Sequence, residues 1–227
     1  MTGHTIQTAR RQKGWTQVRM ARELGVSQGY VALLEGGHRH PSPALLRRMA
    51  KALGLPPTAL PATAPAAPVG ADELATDLAN LEYPGFRHLR RPRRATKNPA
   101  GVLLSALHVP RLEPRIAEAL PWLMMTYAEL DWDWLVPQVK ALDLQNKAGF
   151  VLTLARQLAE RTHSPVVDAL RAQEDLLERS RLVREDAFGQ TTLTEVEKRW
   201  LRVNRSPEAS HWNVLSGLVA EHLSHAG

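Results

Sequence analysis

The chain of 227 residues has no cysteine, which excludes a disulfide framework and any zinc site built on thiolates. It also lacks an apolar run of the roughly 18 to 20 residues that a membrane-spanning helix requires. The opening stretch MTGHTIQTARRQKG has no apolar h-region, so no secretory signal is expected there. No phosphate-binding glycine loop, G-x-S-x-G or H-E-x-x-H motif occurs. No strand-like alternation of apolar and polar residues stands out, and no repeat recurs at 33–47 residues. These absences lead to the expectation of a soluble, cytoplasmic, all-α protein that is not an enzyme and carries no cofactor or metal.

Charge is present, and it is uneven. Residues 1–54 carry nine Lys or Arg against two Asp or Glu, residues 55–98 six against four, and residues 99–227 fourteen against seventeen. A small basic head on a mildly acidic body suits a polyanion-binding domain joined to a body with another task.

Three regions are expected. Residues 1–55 read as four short helices. Residues 56–98 begin with the Pro/Ala-rich PPTALPATAPAAP, a semi-rigid linker. A short helix with Leu74, Leu78 and Leu81 at helical spacing follows. FRHLRRPRRATKNP comes next, with Arg87, Arg90, Arg91, Arg93, Arg94 and Lys97. Two readings of this segment stand: an arm that meets phosphates or an acidic partner, or a solvated loop. Residues 99–227 read as seven helices, the last spanning SPEASHWNVLSGLVAEHL, with Ser164, Thr194 and Ser206 as N-caps.

Within the head, TQVRMARELGVSQGYVALLE carries the pattern of two helices joined by a tight turn. Thr16 and Ser27 are predicted to cap the two helices, and Gly25 to supply the strained turn. Ala21 allows close crossing, Leu24 and Val26 fill the corner, and Val31 and Leu34 face inward.

These residues resemble the Cro/CI (XRE) family of repressors with a lambda-repressor-like helix-turn-helix. Arg10 ahead of Gly14-Trp15-Thr16-Gln17 matches the family's R-x-x-x-G-[L/W]-T-Q. Glu35, Gly37 and Pro41 match its closing E-x-G-x-x-x-P, and LLRRMAKALGL its fourth helix. The resemblance implies double-stranded DNA as partner, with the second motif helix in the major groove. Gln28 is then the direct reader, able to pair with adenine N6 and N7. Ser27 and Gly29 lie at the same mouth, and Ala32 and Leu33 on the groove side. Leu33 either meets a thymine methyl or packs. Gln17 matches the family's phosphate-contacting glutamine. Tyr30 either bonds a phosphate or is partly buried, and Arg39 sits where the family's loop meets the backbone. Arg10 and Glu35 look like a scaffold ion pair.

So thin a reader implies a homodimer on an inverted repeat, acting as a repressor. For residues 99–227 three uses remain open: dimerisation, binding a toxin as the antitoxin of a toxin–antitoxin pair, or sensing a peptide or small molecule. Trp122, Trp132, Trp134, Trp200 and Trp212 fall in this region, as core or as binding surface. Met124 and Met125 read as packing, and Asp131 and Asp133 as an acidic helix start. His211, His222 and His225 read as solvated rather than metal-ligating.

Overall fold

The computed structural model describes residues 3–190 and 192–223. The fold is all-α, as expected, and the chain divides into two compact units, Met1–Pro61 and Ala62–Gly227.

The first unit holds α1 (Gly3–Gln12), α2 (Gln17–Leu24), α3 (Gln28–Glu35) and α4 (Pro43–Leu53), then a 3-10 turn at Pro57–Ala59. Each cap predicted here forms. The hydroxyls of Thr16 and Ser27 accept from the amides of Arg19 and Tyr30, both at 3.1 Å. Gly25 ends α2 at φ 62°, a left-handed conformation that a Cβ disfavours, and its N–H bonds back to Ala21 and Arg22. Ile6, Met20, Leu24, Val31, Leu34 and Met49 close a small core beneath the four helices.

The second unit holds α5 (Ala71–Asn80), a 3-10 segment Pro84–Leu89, α6 (Pro99–His108), α7 (Pro114–Thr126) and α8 (Trp132–Ala141). It continues with α9 (Gln145–Arg161), α10 (Val167–Glu178), α11 (Glu195–Asn204) and α12 (Pro207–His211). The longest helix, α9, is the axis, and its residues from Gln145 to Ala155 are all buried.

Residues 71–80 form the expected short helix, and residues 71–89 fall within the second unit rather than apart from it. Leu74, Leu78, Leu81, Tyr83 and Phe86 are buried in the second unit's core, because three leucines at helical spacing make an apolar stripe that needs a cover. The Arg-rich segment is tied to that helix. Arg94 and Lys97 both pair with Glu73 and Asp77 of α5, and Arg90 pairs with Glu82. At least half its cations therefore have acidic partners in the same unit.

The final stretch also departs from its helical reading. After α12 the backbone turns left-handed at Asn213 (φ 51°), where the side-chain amide donates to Leu182 O at 2.9 Å. β2 (Val214–Leu215) then pairs in parallel with β1 (Asp186–Ala187), and a 3-10 turn follows at Ala220–His222. Val214 and Leu215 are both buried, so their apolarity served a strand in the core rather than a helix face. Thr194 and Ser206 cap α11 and α12 as expected, Thr194 in a full capping box with Glu197. Ser164 does not cap: α10 starts at Val167, and no side chain caps it.

The tryptophans take different fates. Trp212 is fully buried, its indole N–H donating to Thr153 Oγ1 at 2.8 Å. Trp122, Trp132 and Trp134 are partly buried against the same core, whereas Trp200 is 61% exposed. Met124 is buried and Met125 packs against the core, as read. Asp131 caps α8 through the amide of Trp134. His211 bonds Glu178 at 2.6 Å, His222 lies in the last 3-10 turn, and His225 lies outside the described residues.

Trp212 imposes a stringent requirement on α9. A Cβ at Gly149 would sit 2.3 Å from the indole ring, so either the buried ring or the helix would have to shift. Gly149→Ala should therefore destabilise the second unit by about 1–3 kcal/mol, the usual range for overpacking a tight core. Urea unfolding followed by tryptophan fluorescence checks this; a change under about 0.5 kcal/mol would mean the contact is not as tight as it stands here.

Candidate nucleic-acid interface

Arg10 and Glu35 form a bidentate pair, Nε to Oε1 at 2.5 Å and Nη2 to Oε2 at 3.0 Å, with the Glu35 side chain only 2% exposed. The remaining guanidinium nitrogen, Nη1, donates to Trp15 O at 2.6 Å. The pair thus joins α1, the turn before α2 and the end of α3. Burial by itself would raise the Glu35 carboxyl, but hydrogen bonds from Arg10 and then Gln17 outweigh it and hold the group below its ordinary value. Arg10 is held above its own by the bond to Glu35.

Glu35 does more than balance Arg10. Its Oε2 also accepts from Gln17 Nε2 at 2.9 Å, and Gln17 Oε1 accepts from Gln28 Nε2 at 2.8 Å. A single chain of bonds therefore runs from the buried ion pair to the first residues of both α2 and α3. Gln28 uses one amide hydrogen in it, leaving a second N–H and the whole Oε1 unoccupied in these contacts. One donor beside one acceptor is the complement of adenine's N7 and N6 edge. Gln17 likewise keeps one N–H at a helix N-terminus, where the macrodipole and exposed amides favour an anion.

The other predicted contact residues surround this pair. Ser27 and Gly29 are exposed, Ala32 is half-buried, and Leu33 is 43% exposed. Gly29 has nothing within 4 Å of where a Cβ would stand and adopts no left-handed φ, so nothing inside the domain demands glycine there. Tyr30 is half-buried against the first unit's core, which accounts for its ring. Arg39 is exposed beyond the Gly36-Gly37 turn, its amide bonded to Leu33 O at 3.2 Å.

Trp15, unassigned beforehand, is buried at the edge of the core with Lys13 and Arg19 near its ring, at 5.0 and 5.2 Å from the centroid. The link from Glu35 to Gln17 was equally unforeseen. No spacing announces it, since residues 17 and 35 meet only when α2 and α3 cross.

The helix-turn-helix family model matches residues 6–60, the segment that contains all of these side chains. Residues 6–60 form a helix-turn-helix domain of the Cro/CI (XRE) type. The match reaches past Leu55 to include the 3-10 turn at Pro57–Ala59. The helix-turn-helix domain is a DNA-binding module of transcription regulators. No curated protein and no solved structure matches the chain. No helix among the described residues is long and apolar enough to cross a membrane, and no three of their His, Asp or Glu side chains converge as metal ligands.

Glu35→Gln keeps the shape and removes the charge, leaving Arg10 buried without a counter-ion. Breaking such a pair typically costs about 3–5 kcal/mol, so hydrogen exchange should accelerate across α1 and α3. The wild type has a matching pH dependence. Because Glu35 ionises more readily in the fold than in the unfolded chain, its stabilisation is complete above the ordinary carboxyl value of 4.5 and is lost as pH falls through the depressed folded value. Glu35→Gln should abolish that acid-side increment. An unchanged acid profile would remove the pair from its place as the domain's brace.

Proposed function

We propose that this protein is a sequence-specific transcriptional regulator, a repressor that binds an inverted-repeat operator as a dimer. The observation that carries this reading is the braced pair of glutamines. Gln28 is aimed and pre-ordered by Gln17, which is in turn fixed by the buried Glu35. Ordering the reader before binding reduces the entropy lost when it meets a base.

In this reading α3 enters the major groove and Gln28 takes an adenine edge. Ser27 and Ala32 flank it, and Leu33 meets a thymine methyl, consistent with an apolar side chain left open to solvent. Gln17, Tyr30 and Arg39 contact phosphates on either side. Gly29 lets the groove wall approach the helix closely. One glutamine and a few apolar contacts discriminate weakly, since each mismatched pair typically costs about 1–3 kcal/mol. Two heads on one operator restore selectivity.

Footprinting of DNA from the protein's own upstream region, over a salt series, tests the reading. A protected inverted repeat with affinity falling steeply in salt is expected. Complete absence of protection at low salt would sink the proposal. Gln28→Ala should cost about 1–3 kcal/mol at the cognate site and relax its specificity. Gln17→Ala should weaken binding to all sequences and, by freeing Gln28, also relax specificity in part. The double variant should therefore lose less than the two singles together.

Gly29→Ala gives an independent check. It should raise thermal stability by up to about 1 kcal/mol, since alanine outranks glycine in a helix, while weakening operator binding. A variant that is more stable and binds as well as wild type would remove Gly29 from the interface.

A further inference from the structure

Six cations fall within the eleven residues from Arg87 to Lys97, and the fold divides them evenly. Glu73, Asp77 and Glu82 are the acids that pair with this segment, and they take Arg90, Arg94 and Lys97. Arg87, Arg91 and Arg93 are exposed, and no carboxylate among the described residues pairs with them. Three uncompensated charges therefore stand within seven residues of chain.

The backbone that carries them is tied to the body at each step. The Arg90 amide bonds back to Arg87 O at 3.3 Å, in the 3-10 segment whose Phe86 is buried in the core. The Arg91 amide donates to Asn80 Oδ1 at 2.9 Å, at the end of α5. The Arg94 amide then returns to Arg91 O at 2.9 Å, closing a turn with Pro92 at its second position. Beyond the turn, Arg94 and Lys97 both reach Asp77, which is buried. Placing the arginines before binding lowers the entropy lost when they meet a ligand.

The chemistry of the segment identifies that ligand. All three open cations are arginines, whose planar fork matches phosphate oxygens in pairs. None of the exposed large apolar side chains lies between residues 82 and 98, so the surface lacks the anchor typical of a protein interface. The chain also carries a DNA-binding domain, which keeps a bound duplex at high effective concentration for the rest of the chain. A polyanion with closely spaced phosphates and nothing apolar to bury fits all three features.

We propose that Arg87, Arg91 and Arg93 form a second nucleic-acid contact, on the body of this protein, gripping phosphates of the duplex that the helix-turn-helix domain binds. The inference rests on the regulator reading for its ligand, and adds to it an affinity that is blind to sequence.

Fluorescence anisotropy of the full chain over a salt series tests this, with circular dichroism to verify folding of each variant. The probes are a labelled duplex from the protein's own upstream region and a scrambled duplex of equal length. Each phosphate contact adds about 0.9 to the slope of log affinity against log salt. Arg87→Gln, Arg91→Gln and Arg93→Gln together should therefore lower that slope by about 2 to 3 per chain bound. Both duplexes should weaken at least about tenfold at roughly 0.1 M salt, with the preference between them unchanged. A control of equal charge change at scattered exposed sites, Lys140→Gln, Arg179→Gln and Arg199→Gln, should keep the wild-type slope. Preference for the upstream duplex with an unaltered slope in the triple variant would overturn the contact and keep the regulator, as would an equal loss in the control. Equal wild-type affinity for both duplexes, with the slope still falling in the triple variant, keeps the contact and removes sequence-specific regulation. No binding of either duplex at low salt removes both. Poly-glutamate is titrated in parallel: a triple variant that keeps its duplex slope but loses poly-glutamate would assign the segment to an acidic protein instead.

Discussion

The helix-turn-helix domain depends on one buried ion pair. Arg10 and Glu35 lie 25 positions apart in the chain, on α1 and α3, and their bidentate contact fixes how the two helices lie against each other. The fifty or so residues of the domain enclose only a small core, so apolar burial alone leaves limited resistance to sliding of the helices. A guanidinium–carboxylate fork is directional where apolar packing is not. Its desolvation is offset because both charges are well satisfied, Arg10 also by Trp15 O and Glu35 also by Gln17.

A chain of hydrogen bonds is built outward from that pair. Because Gln17 is anchored on Glu35 and Gln28 on Gln17, the two exposed ends of the motif helices are ordered from the interior. The same chain links the interior to the exposed helix ends: a change at Glu35 reaches Gln28 through two hydrogen bonds without touching it. Helical propensity and caps make α2 and α3, but the orientation of the Gln28 side chain belongs to the network.

The second unit is organised differently, around apolar contacts to α9. Gly149 removes a side chain so that Trp212 can lie flat on the helix, and Thr153, one turn on, accepts the indole N–H. At the start of the same helix, Asn146 accepts from the amide of Leu182 and donates to the carbonyls of Leu182 and Arg184, tying down the chain that leads to β1. Among the described residues of this body, α11 is an element whose outer apolar side chains, Val196, Trp200 and Val203, are exposed.

Much of this was legible in the chain. The four helices of the head, the caps at Thr16, Ser27, Thr194 and Ser206, and the turn at Gly25 follow from local rules: periodicity, hydroxyl caps and a glycine free to adopt positive φ. The positions of Gln17, Gln28 and the Arg10–Glu35 pair were legible because their spacing resembles a known motif. Tertiary structure alone decided the rest. Leu74, Leu78 and Leu81 looked like an isolated helix between domains, and only the presence of a facing core makes them part of the body. Val214 and Leu215 have helical neighbours in sequence, yet a strand partner 28 residues earlier claimed them. Ser164 had the right chemistry for a cap and no helix starting beside it. Nothing local distinguishes Trp212 from Trp200, since burial is set by what other segments bring to the residue. Periodicity and caps act within a few residues and can be read from the chain. Burial, partner choice and the link from Glu35 to Gln28 act between segments, and exist only once the chain has folded.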